Sequence, residues 1–421
     1  MKDRRLILIF AITILDIIAA NGLGVMVTKF VVALPNKPVL LTAGTALMLG
    51  IQLAFSPAIG HLSDKVGRRP VVIGTTIASL FSSLFLLPIQ AWGYVVNRAF
   101  KGGTNGLYAV MRSSVADITE GNDLIKYSSM LSFLVGSSIV VGPLLTGLIW
   151  IASDEARIDA TPTVLFLIGV GVLNVVLATL FKETSEKREK VDVGELKQKA
   201  INSLKVITLW QQLAEADKQV PGIKAIFILN MLGTLGFGYY NFFIAFLTQS
   251  DLNMNPLGVA YFLAYFGAIS VIANVVFFRY IVNHVDKRKA VITIAIINIG
   301  LQVGYMFSES SPTLLYVVAG VDALTVSLIG GLIGGVLTEI TKEGGGQGEM
   351  FGNIQALGGL ASFATALVNS LLSGVSMIAP FIFCAVCSVS VIWWARRLPD
   401  EARKYTNRKE EGLGELIQAK V

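Results

Sequence analysis

Charge is scarce in this chain. Of 421 residues only 15% are Asp, Glu, Lys or Arg, where a water-soluble globular domain carries about 25%. Ligands for metals are scarcer still: two histidines, His61 and His284, and two cysteines, Cys384 and Cys387. The cysteines have Cys-x-x-Cys spacing, but no second ligand pair accompanies them and a thiolate is disfavoured inside an apolar run. A metal-dependent enzyme has little to build on, and no cofactor is expected. The polar stretches carry no hydrolase, kinase or metal constellation, and none is long enough to form a separate receptor module. An enzyme is therefore not expected. Apolar residues are what the chain has in quantity, at 54% with a mean hydropathy of +0.68.

The apolar residues fall in blocks of roughly 20, the length that crosses a ~30 Å hydrocarbon layer at 1.5 Å per residue. Twelve spans are expected, at about 6–32, 40–60, 70–89, 92–112, 128–150, 162–181, 223–248, 257–282, 290–308, 312–341, 349–375 and 377–395. The first is too long for a signal-peptide core and lacks an Ala-x-Ala end, so it reads as a retained span. Most of the 34 Lys and Arg lie in the loops on the N-terminal side of this alternation, and the opposite loops hold only Lys37 and Arg157. By the positive-inside rule both termini are cytoplasmic. The net charge of +6 is thus a topology signal, and nucleic-acid binding drops out. The expected organisation is a six-helix bundle over 1–181, a cytoplasmic linker over 182–222 with helical apolar spacing that suits an amphipathic helix, a second bundle over 223–395, and a cytoplasmic tail over 396–421. A bilayer, a small-molecule substrate and protons are the expected partners of a monomer.

Three motifs carry the chemistry. Between spans 2 and 3 runs Gly60-His61-Leu62-Ser63-Asp64-Lys65-Val66-Gly67-Arg68-Arg69-Pro70, a tight hairpin. Gly60 allows close helix approach, Gly67 suits a turn, Pro70 opens a helix, and Asp64 is an acid among bases. Span 4 holds Arg98-x-x-x-Gly102-x-x-x-Gly106, one arginine and two glycines on one face. A buried arginine is costly in a bilayer unless it faces water or a partner, and the glycines admit a close neighbour. Span 5 holds Gly136, Gly142, Pro143 and Gly147, where the proline bends the helix.

The first string resembles the signature loop of the major facilitator superfamily at every position of its pattern. The resemblance implies a twelve-helix fold of two bundles around a central cavity. It also assigns Gly60, Asp64, Gly67, Arg68 and Arg69, with Arg112 and Asp117, to a conformational latch. The echo Asn283–Lys289 in the second half is degenerate. The Arg98 motif is similar to one associated with proton-coupled members, and the Gly142-Pro143 stretch to the antiporter branch. Together with Asp16, they make residues 6–150 resemble the drug/proton antiporters related to tetracycline exporters, weakly echoed at Gln347-Gly348-Glu349. The resemblance implies export by alternating access across a bacterial cytoplasmic (inner) membrane.

Depth arithmetic puts Asp16, Lys101 and Asp322 each near 15 Å into their spans, with Arg98 one turn from Lys101. In the superfamily fold, spans 1, 4, 7 and 10 line the cavity, so these charges are expected to share it. A coupling acid must change its proton affinity between states, through burial or a nearby cation. Asp16 is the first candidate and Asp322 the second, with Arg98 tuning either. A static buried ion pair remains the alternative for each. Lys101 stands where related exporters carry an uncharged residue; with Arg98 and Lys29 it favours an anionic, amphipathic substrate. Asn21, Asn230, Tyr239, Tyr240 and Asn241 are further substrate candidates, beside the aromatics Phe237 and Phe243. Uptake or facilitated transport of an organic anion by the same fold is the alternative function.

Overall fold

Apolar helix-forming blocks become helices here because a chain in lipid must satisfy every backbone group within itself. The computed structural model describes residues 4–31, 37–119, 127, 130–131, 134, 141–149, 160–185, 193–276, 286–343 and 347–407. Gly136, Arg157, His284, the start of the second-half echo at Asn283 and the tail beyond 407 lie outside them. The helices are α1 (Arg4–Gly22), α2 (Val27–Phe30), α3 (Lys37–Val66), α4 (Arg68–Leu84), α5 (Ala91–Thr104), α6 (Leu107–Ile118), α7 (141–149), α8 (Thr161–Leu180) and α9 (Val193–Leu204). They continue with α10 (Val206–Gln219), α11 (Ile223–Gly236), α12 (Phe243–Gln249), α13 (Pro256–Val276), α14 (Lys287–Phe307), α15 (Pro312–Glu343), α16 (Gln347–Ser373), α17 (Ala379–Arg396) and α18 (Asp400–Asn407). Among the described residues every regular element is helical.

Among the described residues six helices are long and apolar enough to cross a membrane, and three shorter apolar helices accompany them. Their outer faces are greasy. α8 exposes Leu165, Val172, Leu173, Val176 and Leu180 and buries Asn174 and Thr163; α17 exposes Ile382, Val386, Val389 and Trp393 and buries Ser388. That arrangement, apolar outward and polar inward, suits a hydrocarbon surround.

By internal contacts the chain forms two units, Met1–Leu204 with Ile244–Gly267, and Lys205–Phe243 with Ala268–Val421. In the first, α1 packs on α8, α3 on α5 and α4 on α8, around Ile9, Ile12, Val72, Val110 and Met111. In the second, α14 packs on α15 and α17, and α11 on α16 and α17, around Ile226, Phe227, Ala295, Leu332 and Val391. The segment between the bundles forms two helices that break at Lys205. α9 packs on α3 in the first unit, and α10 packs on α11 and α16 in the second.

Three expected spans are interrupted. Span 1 passes from α1 through a 3-10 turn at Leu23–Met26 into α2, and span 7 from α11 through a 3-10 turn at Gly238–Asn241 into α12. Span 4 turns at Asn105–Gly106 between α5 and α6. Each interruption frees carbonyls that must find other donors. Thr146 Oγ1 donates to Gly22 O at 2.9 Å, Asn298 Nδ2 to Gly236 O at 3.2 Å, and Asn369 Nδ2 to Gly238 O at 3.0 Å.

Candidate functional site

The turn between α3 and α4 is built by Gly67, whose φ of +99° is a conformation only glycine takes without strain. It starts α4, and the first amides of a helix have no partner within it. Glu183, just past α8, supplies one: its carboxylate accepts from Arg68 N at 2.8 Å and Arg69 N at 3.2 Å. Arg68 donates to Ser63 Oγ at 2.7 Å, to Asp117 Oδ2 at 3.0 Å, and to Asp64. Thr184 Oγ1 donates to the same Asp117 oxygen at 3.1 Å, and Arg69 donates to Thr179 O at 3.0 Å. Burial pushes the Glu183 carboxyl up, but the backbone N–H groups of Ser185, Arg68, Arg69 and Thr184 outweigh it and hold the group below the ordinary carboxylate range. Asp64, Gly67, Arg68, Arg69 and Asp117 thus meet in one network; Arg112 lies half-buried on α6. No described residue comes into contact with a Cβ built at Gly60, so the close approach expected there is not seen among them.

The second cluster lies in the first unit. Lys101 Nζ donates to Asp16 Oδ1 at 2.6 Å and to Ser79 Oγ at 2.7 Å. Ser79 Oγ donates in turn to Asp16 Oδ1 at 3.1 Å. Asp16 is 5% and Lys101 2% exposed, a closed ion pair. Arg98 turns elsewhere. It donates to Asn97 Oδ1 at 2.9 and 3.1 Å and to Ala20 O at 3.5 Å, and lies over the Tyr94 ring. Among the described residues no carboxylate reaches it. Asn21, beside it in sequence to Ala20, is half-buried and donates to Ile17 O. Gly102 and Gly106 face Met48, Ile51 and Ile59 of α3, and Gly142 meets Ile18 and Gly22 of α1. Pro143 is buried on α7, and Gly147 abuts Ala260.

A third cluster belongs to the second unit. Asp322, fully buried on α15, accepts from Tyr239 Oη at 2.6 Å on one oxygen and from Tyr305 Oη at 2.7 Å on the other. Tyr240 Oη lies 3.1 Å from Tyr239 Oη, and Asn298 Oδ1 3.2 Å. Phe243 and Phe381 close around the Tyr239 ring. Asp322 therefore has hydroxyl donors and, among the described residues, no cation; the cations expected beside it, Arg98 and Lys101, belong to the first unit with partners of their own. Asn241 is half-buried in the 3-10 turn, while Asn230 sits apart, near Lys287 and Thr406.

The major facilitator superfamily model matches residues 7–308 and 226–420. The chain belongs to the major facilitator superfamily. It is 28% identical over 201 residues to the class H tetracycline resistance protein of Pasteurella multocida, covering 44% of this chain and 46% of that one. It is 24% identical over 249 residues to the class E protein of Escherichia coli, covering 58% and 57%. The chain thus spans about half the length of the curated relatives it matches. Among solved structures, the human organic anion transporter MFSD10 (TETRAN) superposes with a TM-score of 0.66 at 16% identity, covering 94% of this chain and all of that one. A peptide transporter in complex with alafosfalin superposes at 0.72 and 12% identity, covering 95% and 94%. These likenesses show the fold. Members of this superfamily are membrane transporters rather than enzymes.

The motifs led to the loop and to Arg98, but not to Glu183, Thr184, Ser79, Asn97, Asn298 or Tyr305. A single acid past span 6 and serines or tyrosines within spans have no spacing that sets them apart. The one usable signal is polarity: Asn97, Asn298 and Gln302 interrupt apolar runs, and intramembrane polar residues are expected to face a partner.

Proposed function

We propose that this transporter is a proton-coupled antiporter that exports a small amphipathic anion by alternating access, with Asp322 as the acid that carries the coupled proton. Asp322 carries this reading. A charged side chain at mid-span costs about 2.5–3.5 kcal/mol on insertion scales, and it reaches neutrality through a cation or through a proton. Asp16 has its cation in Lys101. Asp322 has tyrosine hydroxyls instead, which can donate to the charged form and accept from the protonated one.

The anionic character of the substrate rests on Arg98, a buried guanidinium held by amide and carbonyl groups and by a tyrosine face. Lys101, already matched by Asp16, serves the bundle. The export direction draws on the tetracycline resistance proteins among the relatives and on the Gly142-Pro143 motif. The setting is a monomer of twelve spans in a bacterial inner membrane with both termini cytoplasmic. The protein in proteoliposomes, loaded in turn with fluorescein, tetracycline and rhodamine 6G, tests the reading. Proton release should accompany movement of the anionic probe, and Arg98→Gln should weaken that probe about 10–150-fold, the loss of a charge-assisted contact. Flux of every probe without proton movement would leave facilitated transport in its place.

A further inference from the structure

The Asp322 cluster offers three acceptors to one hydroxyl proton. Tyr239 Oη lies 2.6 Å from Asp322 Oδ1, 3.1 Å from Tyr240 Oη and 3.2 Å from Asn298 Oδ1, and a phenol has a single O–H to donate; of these only Asp322 and Asn298 lie on other helices. The ionisation of Asp322 decides between them. A carboxylate only accepts, so it takes the Tyr239 proton. A carboxylic acid has an O–H of its own; it can donate to Tyr239 Oη, and Tyr239 then donates to Asn298. The Asn298 oxygen has two lone pairs, one of which receives Gln302 Nε2 at 3.1 Å, so the second is open to Tyr239. The balance is simple. One proton enters on Asp322, the Tyr239 O–H rotates, and no other bond to hydrogen breaks.

Asn298 is tied to the interruption of span 7. Its Nδ2 donates to Gly236 O at 3.2 Å, the last residue of α11, and to Ser388 Oγ at 2.8 Å. At the first residue of the turn, Asn369 holds Gly238 O, and Gly238 has no room for a Cβ beside Thr365. The entry to the 3-10 turn is thus held by amides of α14 and α16, while Tyr239, its second residue, is held by α15 through Asp322. We propose that protonation of Asp322 switches the tether of this turn: Tyr239 changes from donor to acceptor toward Asp322 on α15 and gives its own proton to Asn298 on α14, so that one amide then holds both Gly236 and Tyr239.

The proposal rests on the reading of Asp322 as proton carrier. The titratable groups facing Asp322 are Tyr239 and Tyr240 from the turn and Tyr305 from α14, with Cys384 of α17 beside the turn's backbone. α16 presents Thr365 and Asn369, and the part of α13 in this unit presents Ser270, which donates to Ala323 O. α11 and α18 meet the far end of α15, where Lys287 and Thr406 lie beside Leu332 and Val336. No Lys, Arg, Asp or Glu ion-pairs with Asp322 among the described residues.

The test uses the full chain in nanodiscs across a pH series, without substrate. Infrared spectroscopy follows the carboxyl band lost in Asp322→Asn, and amide hydrogen exchange follows residues 237–243. In the unaltered protein exchange should change roughly three- to tenfold, one net hydrogen bond, over the pH range where the band appears. In Tyr239→Phe the band should still titrate while exchange stays flat. In Asp322→Asn, whose amide can donate to Tyr239, exchange should be independent of pH. A titrating band with unchanging exchange overturns the switch and leaves the proton carrier standing, as does a full exchange response in Tyr239→Phe. A band that never titrates overturns both. Should Tyr239→Phe fail to fold, an asparagine carbonyl band, absent from Asn298→Ser, must shift in step with the carboxyl band in the unaltered protein; a band that stays still overturns the switch.

Discussion

Asp16 and Asp322 are both carboxylic acids inside apolar helices, yet their surroundings differ. Lys101 at 2.6 Å neutralises Asp16, and breaking such a buried pair leaves one charge uncompensated. Lys101→Met should therefore destabilise the first bundle by about 3–5 kcal/mol. Asp16→Asn combined with Lys101→Gln should recover most of that loss, since neither charge remains to be solvated. Thermal unfolding of the detergent-purified variants reads the difference; equal midpoints for the single and double variants would show that the pair is not what holds Asp16. That Asp16 and Lys101 lie at similar depth could be read from residue counts along each span. That they touch, while Arg98 turns to Asn97 and Ala20, depends on how α1, α4 and α5 rotate against one another. Residue counts say nothing of rotation.

At the scale of elements, the start of α4 is a junction of three distant stretches. Gly67 sits at φ +99° and ψ 158°, a region open almost only to glycine, where another residue costs of order 1–3 kcal/mol. A Cβ there would also stand 2.5 Å from Glu183 Oε2. Gly67→Ala should loosen the cap, seen as faster exchange of the Arg68 and Arg69 amides; unchanged exchange would mean that Glu183 does not hold them. The Glu183 carboxyl, held below its usual range, contributes its stabilisation above the range in which a free glutamate titrates. That contribution is lost as pH falls through the lower value of the folded protein. Acidification should therefore speed exchange of the same two amides, and Glu183→Ala should abolish that dependence; equal pH dependence in both proteins would show that Glu183 is not its source. The turn itself was legible in Gly67 and Pro70, because each restricts the backbone in a known way. The cap was not: Glu183 lies 115 residues from Arg68, and no local pattern marks an acid that pairs across such a gap. The interruptions of spans 1 and 7 escaped for a related reason. Glycines serve membrane helices as packing faces as often as breaks, and only Thr146, Asn298 and Asn369, from other helices, make the breaks tenable.

For the whole molecule, the apolar blocks, the scarcity of charge and the loop motif are enough to place the chain in its superfamily, since a bilayer leaves helices few alternatives. Transport adds a demand that neither bundle meets alone: proton and substrate must each change affinity as the protein changes state, and linkage makes those changes reciprocal. The central claim is that the proton resides on Asp322, and Asp322→Asn fixes that site in its uncharged form. The direct measurement is fluorescein flux in proteoliposomes carrying this variant, taken once with an imposed pH difference and once as exchange at equal pH. The account predicts that gradient-driven accumulation disappears while exchange continues at a comparable rate, because exchange requires no net proton release. Accumulation that survives at the rate of the unaltered protein would contradict it and move the coupled proton to Asp16.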